Sequence, residues 1–372
     1  KATLCRQGSI REAALRVMMT AEKGSPARGA RSSDLINCSV TAHILCENLC
    51  VRLLIIKTSS LGDVIHNLPV ISDILARVPG AVIDWVVEEG FADIPRLHPR
   101  VKRVIPVAMR RWRKTLWQPT TWREIGKFKR QLQGERYDLV LDAQGLVKSA
   151  AMARLAKGPV YGADSTTARE RLAAYFYHHK FPVPWGRHAV IRNRHLAAQA
   201  LGYDLPKTRP DYGLRVPADP GLLQSLPARY AVCLHATSRD SKRWPDAEWI
   251  ELGRMLTASG MIPIFPWGTE EENIRARALV AQIPGAVVPP RLSLRQLAVA
   301  LGNAAVIIGV DTGLLHLAAA LGCLTIGLYT DSAPEFYGPT PADPGRAISL
   351  GGEGAKPRSD DVAHALVRLG VR

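Results

Sequence analysis

From Val51 onward, short apolar runs rich in valine and isoleucine alternate with stretches whose apolar residues recur at helical spacing. Continuous apolar runs of this length fit strands buried on both faces. In the first half they cover residues 51–56, 81–87, 101–107 and 137–141. Between the first two, Val64, Ile65, Leu68, Ile71, Ile74 and Leu75 follow a helical period. Pro69 sits inside that period and should bend the helix or displace its start. In the second half, residues 231–234, 262–265, 286–288, 306–310 and 325–329 read as strands. Helical patterns there fall at residues 246–258, 271–282, 294–301 and 314–321.

Strand–helix alternation predicts parallel sheets with crossover helices, an α/β class. Two such series predict two doubly wound, Rossmann-like domains, over residues 51–212 and 213–355. The join is expected within the proline-dense residues 205–227, and a last helix, within residues 356–372, is expected to pack back towards the first domain. Residues 1–50 lack a sustained period and read as an extension of poor order, with a helical appendage over residues 10–20 as the other reading. Parallel sheets of this kind bind ligands at the carboxyl ends of their strands. Every polar loop of interest follows a strand, so two domains with these loops facing each other would enclose a cleft.

Composition adds little to this and excludes some classes. The 372 residues are 47% hydrophobic and 22% charged, which is globular. No apolar run reaches the roughly 20 residues that span a bilayer. Of six cysteines, Cys5, Cys38, Cys46 and Cys50 lie in the first fifty residues, and no C-x-x-C pair occurs. The bulk therefore reads as a reduced, cytoplasmic protein. The net charge is +16, and residues 100–136 carry 12 Lys/Arg against two Glu, a net of +10. Such a segment suits an anionic partner, or is a solvated helix face.

The loop "KTSSLGDVIHNLP", residues 57–69, takes the place of a glycine-rich phosphate loop but carries an acid, Asp63. "DTGLLH", residues 311–316, opens a helix directly after a strand, where N–H groups and the helix dipole suit a phosphate. Asp311 as an ordinary N-cap is the plainer reading. In "HATSRDSKRW", Thr237 and Ser238 offer hydroxyls and Lys242 a mobile charge. Two anion-suited loops in one half of the chain favour a diphosphate. No D-x-D or H-E-x-x-H occurs, so no metal is expected and the charge would be met by Lys242 and helix N-termini. Asp63 would then be either a general base facing the diphosphate across the cleft or a helix cap.

Taken together, "VRLLIIKTSSLGDVIHNLP", "DWVVEEGFADIP", "RRWRK", "LDAQGLVKSA", "TARERLA", "LHATSRDSKRWP", "PWGTEEE" and "VDTGLLHLAAALG" resemble the heptosyltransferases of glycosyltransferase family 9. "WVVEEGFADIP", "RRWRK" and "DAQGLVKSA" resemble those that add the first heptose of the lipopolysaccharide core. The resemblance runs from Val51 to the end. It implies a GT-B architecture and transfer of L-glycero-D-manno-heptose from ADP-heptose to the Kdo of Kdo-lipid A, with inversion and without a metal or cofactor.

By the same resemblance, Asp63 is the general base. Thr237, Ser238, Lys242, Glu272, Leu292, Asp311, Thr312, Gly313, Leu314 and His316 bind the donor. Leu292 stands where a methionine is common, and Ser238 where a second threonine is. Arg110, Arg111, Arg113 and Arg169 grip the acceptor, with Lys57, Ser60, Gln144 and Lys148 beside them. The protein is then expected to be a monomer that works at the cytoplasmic face of the inner membrane, with no nucleic-acid partner. The alternatives are a transferase of a second or later heptose, a basic nucleic-acid-binding protein and a non-catalytic nucleotide-sugar binder.

Overall fold

The computed structural model describes residues 51–371, so the expected extension over residues 1–50 lies outside it. The described chain forms two compact units. One holds residues 51–59 and 67–208, and the other holds residues 60–66 and 209–371.

The first unit is built on a six-stranded parallel sheet: β1 (Arg52–Ile56), β2 (Val82–Glu88), β3 (Val101–Val107), β4 (Leu139–Asp142), β5 (Val160–Ala163) and β6 (His179–Phe181). Their order is β3-β2-β1-β4-β5-β6. In the register, Leu53 pairs with Ile83 of β2 and with Leu139 of β4. The longer helices are α1 (Pro69–Arg77), α2 (Pro119–Gln133), α3 (Val147–Leu155) and α4 (Ala189–Leu201). Leu54, Ile56, Val86 and Val140 share a core with Phe128 and Leu132 of α2 and with Ala150 and Ala153 of α3. Pro69 takes the first position of α1, where a missing N–H is harmless. A separate short helix, Leu61–Ile65, precedes it. Arg194 of α4 grips Asp73 of α1 bidentately at 2.7 and 2.9 Å, both side chains buried.

The second unit repeats the plan with five parallel strands: β7 (Tyr230–Leu234), β8 (Ile262–Ile264), β9 (Val306–Val310), β10 (Thr325–Tyr329) and β11 (Ala347–Gly351). Their order is β11-β10-β9-β7-β8. Its longer helices are α5 (Asp246–Ala258), α6 (Glu270–Val280), α7 (Leu294–Gly302), α8 (Gly313–Ala320) and α9 (Ser359–Arg368). In each sheet the strand order reverses once, beside β1 and β4 in the first and beside β7 and β9 in the second. Ligands of doubly wound sheets gather at such reversals. Of the five loops singled out in the sequence, those after β1, β4, β7 and β9 stand at these two points, and "PWGTEEE" follows β8.

The strand reading is corrected in two places. Residues 286–288 are not a strand. Val287 makes one parallel bridge to Ile264, and Pro289 and Pro290 cannot donate to extend it. The strands β5, β6 and β11 were not anticipated, being short or polar. The last helix, α9, is part of the second unit. Its Val362 and Ala365 enter the second unit's core with Trp244 and Trp249, and Ser359 N–H donates to Glu248 of α5 at 2.7 Å.

Candidate active site

The loop after β1 is tied to the loop after β4. Lys57 Nζ donates to Ala143 O at 2.7 Å, and Gln144 Oε1 accepts from Thr58 N–H and Ser59 N–H at 3.1 and 3.2 Å. Lys57 and Gln144 are 3% and 2% exposed. These two candidate acceptor residues brace the loops on each other. Asp142 anchors the second loop by accepting from Gln144 N–H, Ser149 Oγ and Tyr177 OH at 2.7–2.9 Å. Burial pushes its carboxyl up, against those hydrogen bonds.

Beyond Ser59 the chain joins the second unit. The helix Leu61–Ile65 is capped by Ser60, whose N–H donates to Asp63 Oδ2 at 3.0 Å. Asp63 is thus a capping residue in geometry, with its carboxylate held half-exposed. This helix rests on the start of α8. A Cβ on Gly313 would stand 2.7 Å from the Leu61 side chain, and one on Gly62 3.1 Å from the His316 ring. Real Cβ atoms do not approach as closely as 2.7 Å, so glycine at 313 permits the contact, and at 62 a side chain would make the His316 ring give way by a few tenths of an ångström. The expectation that Asp63 faces the second half of the chain from the first domain is therefore revised: its helix belongs to the second unit.

At the carboxyl end of β9, Asp311 is the hub. Its Oδ2 accepts from the Lys242 ammonium and from Ser332 Oγ, the latter at 2.9 Å. His316 Nε2 lies 3.8 Å from Oδ1, and Thr237 Oγ1 donates to the Asp311 carbonyl at 3.1 Å. Burial alone would raise the Asp311 carboxyl. The hydrogen bonds and charges of His316 and Lys242 outweigh it and hold the group well below the usual carboxylate range. Thr312 caps α8 through its carbonyl, its hydroxyl making no capping bond. Leu314 lies half-buried in the first turn of α8, and the His316 ring is buried.

The loop between β7 and α5 carries Thr237, Ser238 and Lys242, and Arg275 of α6 clasps both its ends. Arg275 Nη1 donates to His235 O at 2.7 Å, Nη2 to Trp244 O at 3.0 Å, and Nε to Asp246 Oδ1 at 3.0 Å. Ser238 itself is exposed. Glu272, one turn before Arg275, closes the capping box of α6. Its Oε2 accepts from Gly268 N–H and Thr269 N–H at 2.7 and 3.2 Å. Leu292 is half-buried just ahead of Ser293, the cap of α7.

The basic candidates belong to the first unit. Arg111 is engaged by Glu89 at 3.0 Å and Glu124 at 2.9 Å, which raise its already high pKa. Arg110 lies 5.2 Å over the Phe91 ring, and its N–H donates to Glu88. Arg113, Lys148 and Arg169 are exposed. The backbone N of Arg169 lies against Gly145, tying its segment to the loop after β4.

The structure thus gathers Asp63, Thr237, Lys242, Asp311, Thr312, Gly313 and His316 in one unit. It adds Ser332, Arg275 and His66, which sequence reasoning missed. Ser332 follows β10, and its place after a strand end was the one signal available. Among the described residues, no group of three or more His, Cys, Asp or Glu is arranged to hold a metal ion.

Residues 125–362 match the family model of glycosyltransferase family 9 (heptosyltransferase). Lipopolysaccharide heptosyltransferase 1 of Pseudomonas aeruginosa is 50% identical over 293 residues, 77% of this chain and 81% of that protein. The protein of the same name from Escherichia coli K12 is 46% identical over 295 residues, covering 77% of this chain and 90% of it. The solved E. coli heptosyltransferase WaaC with ADP superposes with a TM-score of 0.78 at 42% identity, over 86% of this chain and 100% of that one.

Proposed function

The chain belongs to glycosyltransferase family 9, the heptosyltransferases, and we propose that it transfers L-glycero-D-manno-heptose from ADP-heptose to the Kdo of Kdo-lipid A, with inversion and without a metal. Its two parallel-sheet units are those of the GT-B enzymes it resembles. The observation that carries the reading is the packing of Asp63's helix on the start of α8, beside the pair of Asp311 and Lys242. It puts a carboxylate, an anion-suited helix end and a lysine in one unit. The E. coli relative was solved with ADP, and again with ADP-2-deoxy-2-fluoro heptose.

The donor diphosphate is met by the first N–H groups of α8, the Thr312 hydroxyl, Thr237 and Ser238, and Lys242. Asp311 does not repel it, because the Lys242 ammonium compensates its charge. Asp311 also fixes Lys242 in place and faces the heptose hydroxyls. Glu272 accepts from the ribose through the oxygen its capping bonds leave over. Leu292 and Leu314 supply apolar cover. Arg110, Arg113, Lys148 and Arg169 meet the acceptor's carboxylates and phosphates, and Lys57, Ser60 and Gln144 shape the loop that leads to Asp63. Arg111 contributes less, being neutralised by two glutamates.

Asp63 takes the proton from the attacking Kdo hydroxyl as its oxygen bonds to the anomeric carbon. The anomeric C–O bond breaks on the opposite face, which inverts the centre, and ADP leaves with the electron pair. Ser60 N–H fixes one oxygen of Asp63 and orients the other. The negative charge growing on the leaving diphosphate is held by Lys242 and α8, dipoles set before reaction. Work at a lipid-borne acceptor places the protein at the cytoplasmic face of the inner membrane, and we propose that it acts there as a monomer. Among the described residues, no helix is long and apolar enough to cross a membrane.

The test is transfer from ADP-heptose, with chelator present, to Kdo-lipid A and to the same acceptor already carrying its first heptose. The expected result is transfer to the first alone. Transfer to the second alone would reassign the acceptor, and loss of transfer in chelator would overturn the metal-free mechanism.

A further inference from the structure

The end of the segment between β3 and α2, with the first turn of α2, exposes large apolar side chains. Leu116, Trp117 and Trp122 are 47%, 77% and 60% exposed, three large hydrophobic side chains within seven residues. They do not belong to a slack loop. Trp122 Nε1 donates to Leu116 O at 2.8 Å, Thr115 and Thr121 hydroxyls meet at 2.9 Å, and Gln118 N–H donates to Thr115 O at 3.0 Å. Beneath them Trp112 is buried, edge-on to Phe128, with its N–H on Glu124 Oε2 at 2.7 Å. The tip is therefore held rigidly with its apolar groups outward.

Its surroundings are cationic. Arg113, Lys114, Arg123, Lys127, Lys129 and Arg130 are exposed. Arg123, Lys127 and Arg130 fall at i, i+4 and i+7 along α2, one stripe of the helix. The one acid among residues 110–130, Glu124, is already engaged by Arg111 and Trp112. Indole rings settle at the boundary of headgroup and acyl chain, and lysine and arginine beside them bind anionic headgroups. Nucleic acid also attracts exposed indoles and cations. Leu116 distinguishes the two partners, since an aliphatic side chain fits hydrocarbon and has no face on which to stack a base.

We infer that Leu116, Trp117 and Trp122, with the basic stripe of α2, form an insertion edge for an anionic lipid bilayer. The inference rests on the reading of a lipid-borne acceptor and deepens it by naming the surface that reaches the lipid. It assigns these residues no part in the chemistry.

The experiment is flotation with vesicles that contain neither acceptor nor donor: neutral phosphatidylcholine, alone or with about a third phosphatidylglycerol. The parent should bind the anionic vesicles and lose them at high salt. Leu116→Ser/Trp117→Ser should lower the partition at least about tenfold with an unchanged thermal midpoint. Trp117→Phe should restore part of the binding. Equal partition of parent and double variant, or a parent that binds duplex DNA and not vesicles, would overturn the inference. Since no acceptor is present, neither outcome bears on which sugar is transferred.

Discussion

His66 and His316 meet edge to face, their ring centroids 4.4 Å apart at 68°. One histidine ends the helix of Asp63, and the other lies in the first turns of α8, 3.8 Å from Asp311. The contact is possible because Gly62 and Gly313 let the two helices touch. The position of the proposed base is thus set by the element proposed to meet the donor, rather than by the strand that precedes it in sequence.

Gly313→Ala should expose this dependence. The new methyl would start 2.7 Å from Leu61 and must push the helix Leu61–Ile65 aside. Overpacking of this kind costs about 1–3 kcal/mol. The expected outcome is a lower thermal midpoint and a transfer rate down by at least about tenfold. A variant that matches the parent in both would show that the contact does not position Asp63.

Lys242 compensates Asp311 and is proposed to receive the diphosphate, and the two roles separate by mutation. Lys242→Met leaves Asp311 without its cation, and the partial burial of both groups makes a loss of about 2 kcal/mol expected. ADP affinity should fall at least about thirtyfold. Lys242→Met/Asp311→Asn should regain stability and leave ADP binding weak. Calorimetric titration and thermal melts read the two roles apart, and recovery of ADP affinity in the double variant would contradict the phosphate role.

How much of this was legible follows from the range of each signal. The alternation of strands and helices is local, and so were the loops after β1, β4, β7 and β9. The histidine, threonine and glycine of residues 311–316 stood out because a strand and a helix flank them directly. Arg275 did not, since its partners His235 and Trp244 lie 40 and 31 residues away and no spacing marks such a clasp. The burial of Lys57 and Gln144 was not legible, because sequence gives polarity and not burial. The glycine at 62 was visible, but the helix it admits was not. Strand β6 has only three residues, two of them His179 and Lys180, so periodicity could not reveal it.

His235 gives the fold a pH dependence. Burial first, then the charge of Arg275, lower its pKa from 6.5 to about 4. Between these values the unfolded chain binds the proton and the folded one does not. Stability from this group is therefore complete above pH 6.5 and is lost as pH falls through 4. The full loss is about 3 kcal/mol. Denaturant titrations at pH 7, 5.5 and 4.5 should show the parent losing more stability than His235→Gln, which does not titrate in this window. Parallel curves would mean that His235 takes up its proton in the folded state.

Asp63 carries the central claim, and Asp63→Asn tests it most directly. The amide keeps the size of the side chain and an oxygen to accept from Ser60 N–H, so the cap survives while the base is lost. Transfer of heptose from ADP-heptose to Kdo-lipid A should fall at least about a hundredfold in kcat. ADP should bind within about twofold of the parent, because binding does not use the base. Transfer at the parent's rate would contradict the account and leave Asp63 as the cap of its helix alone.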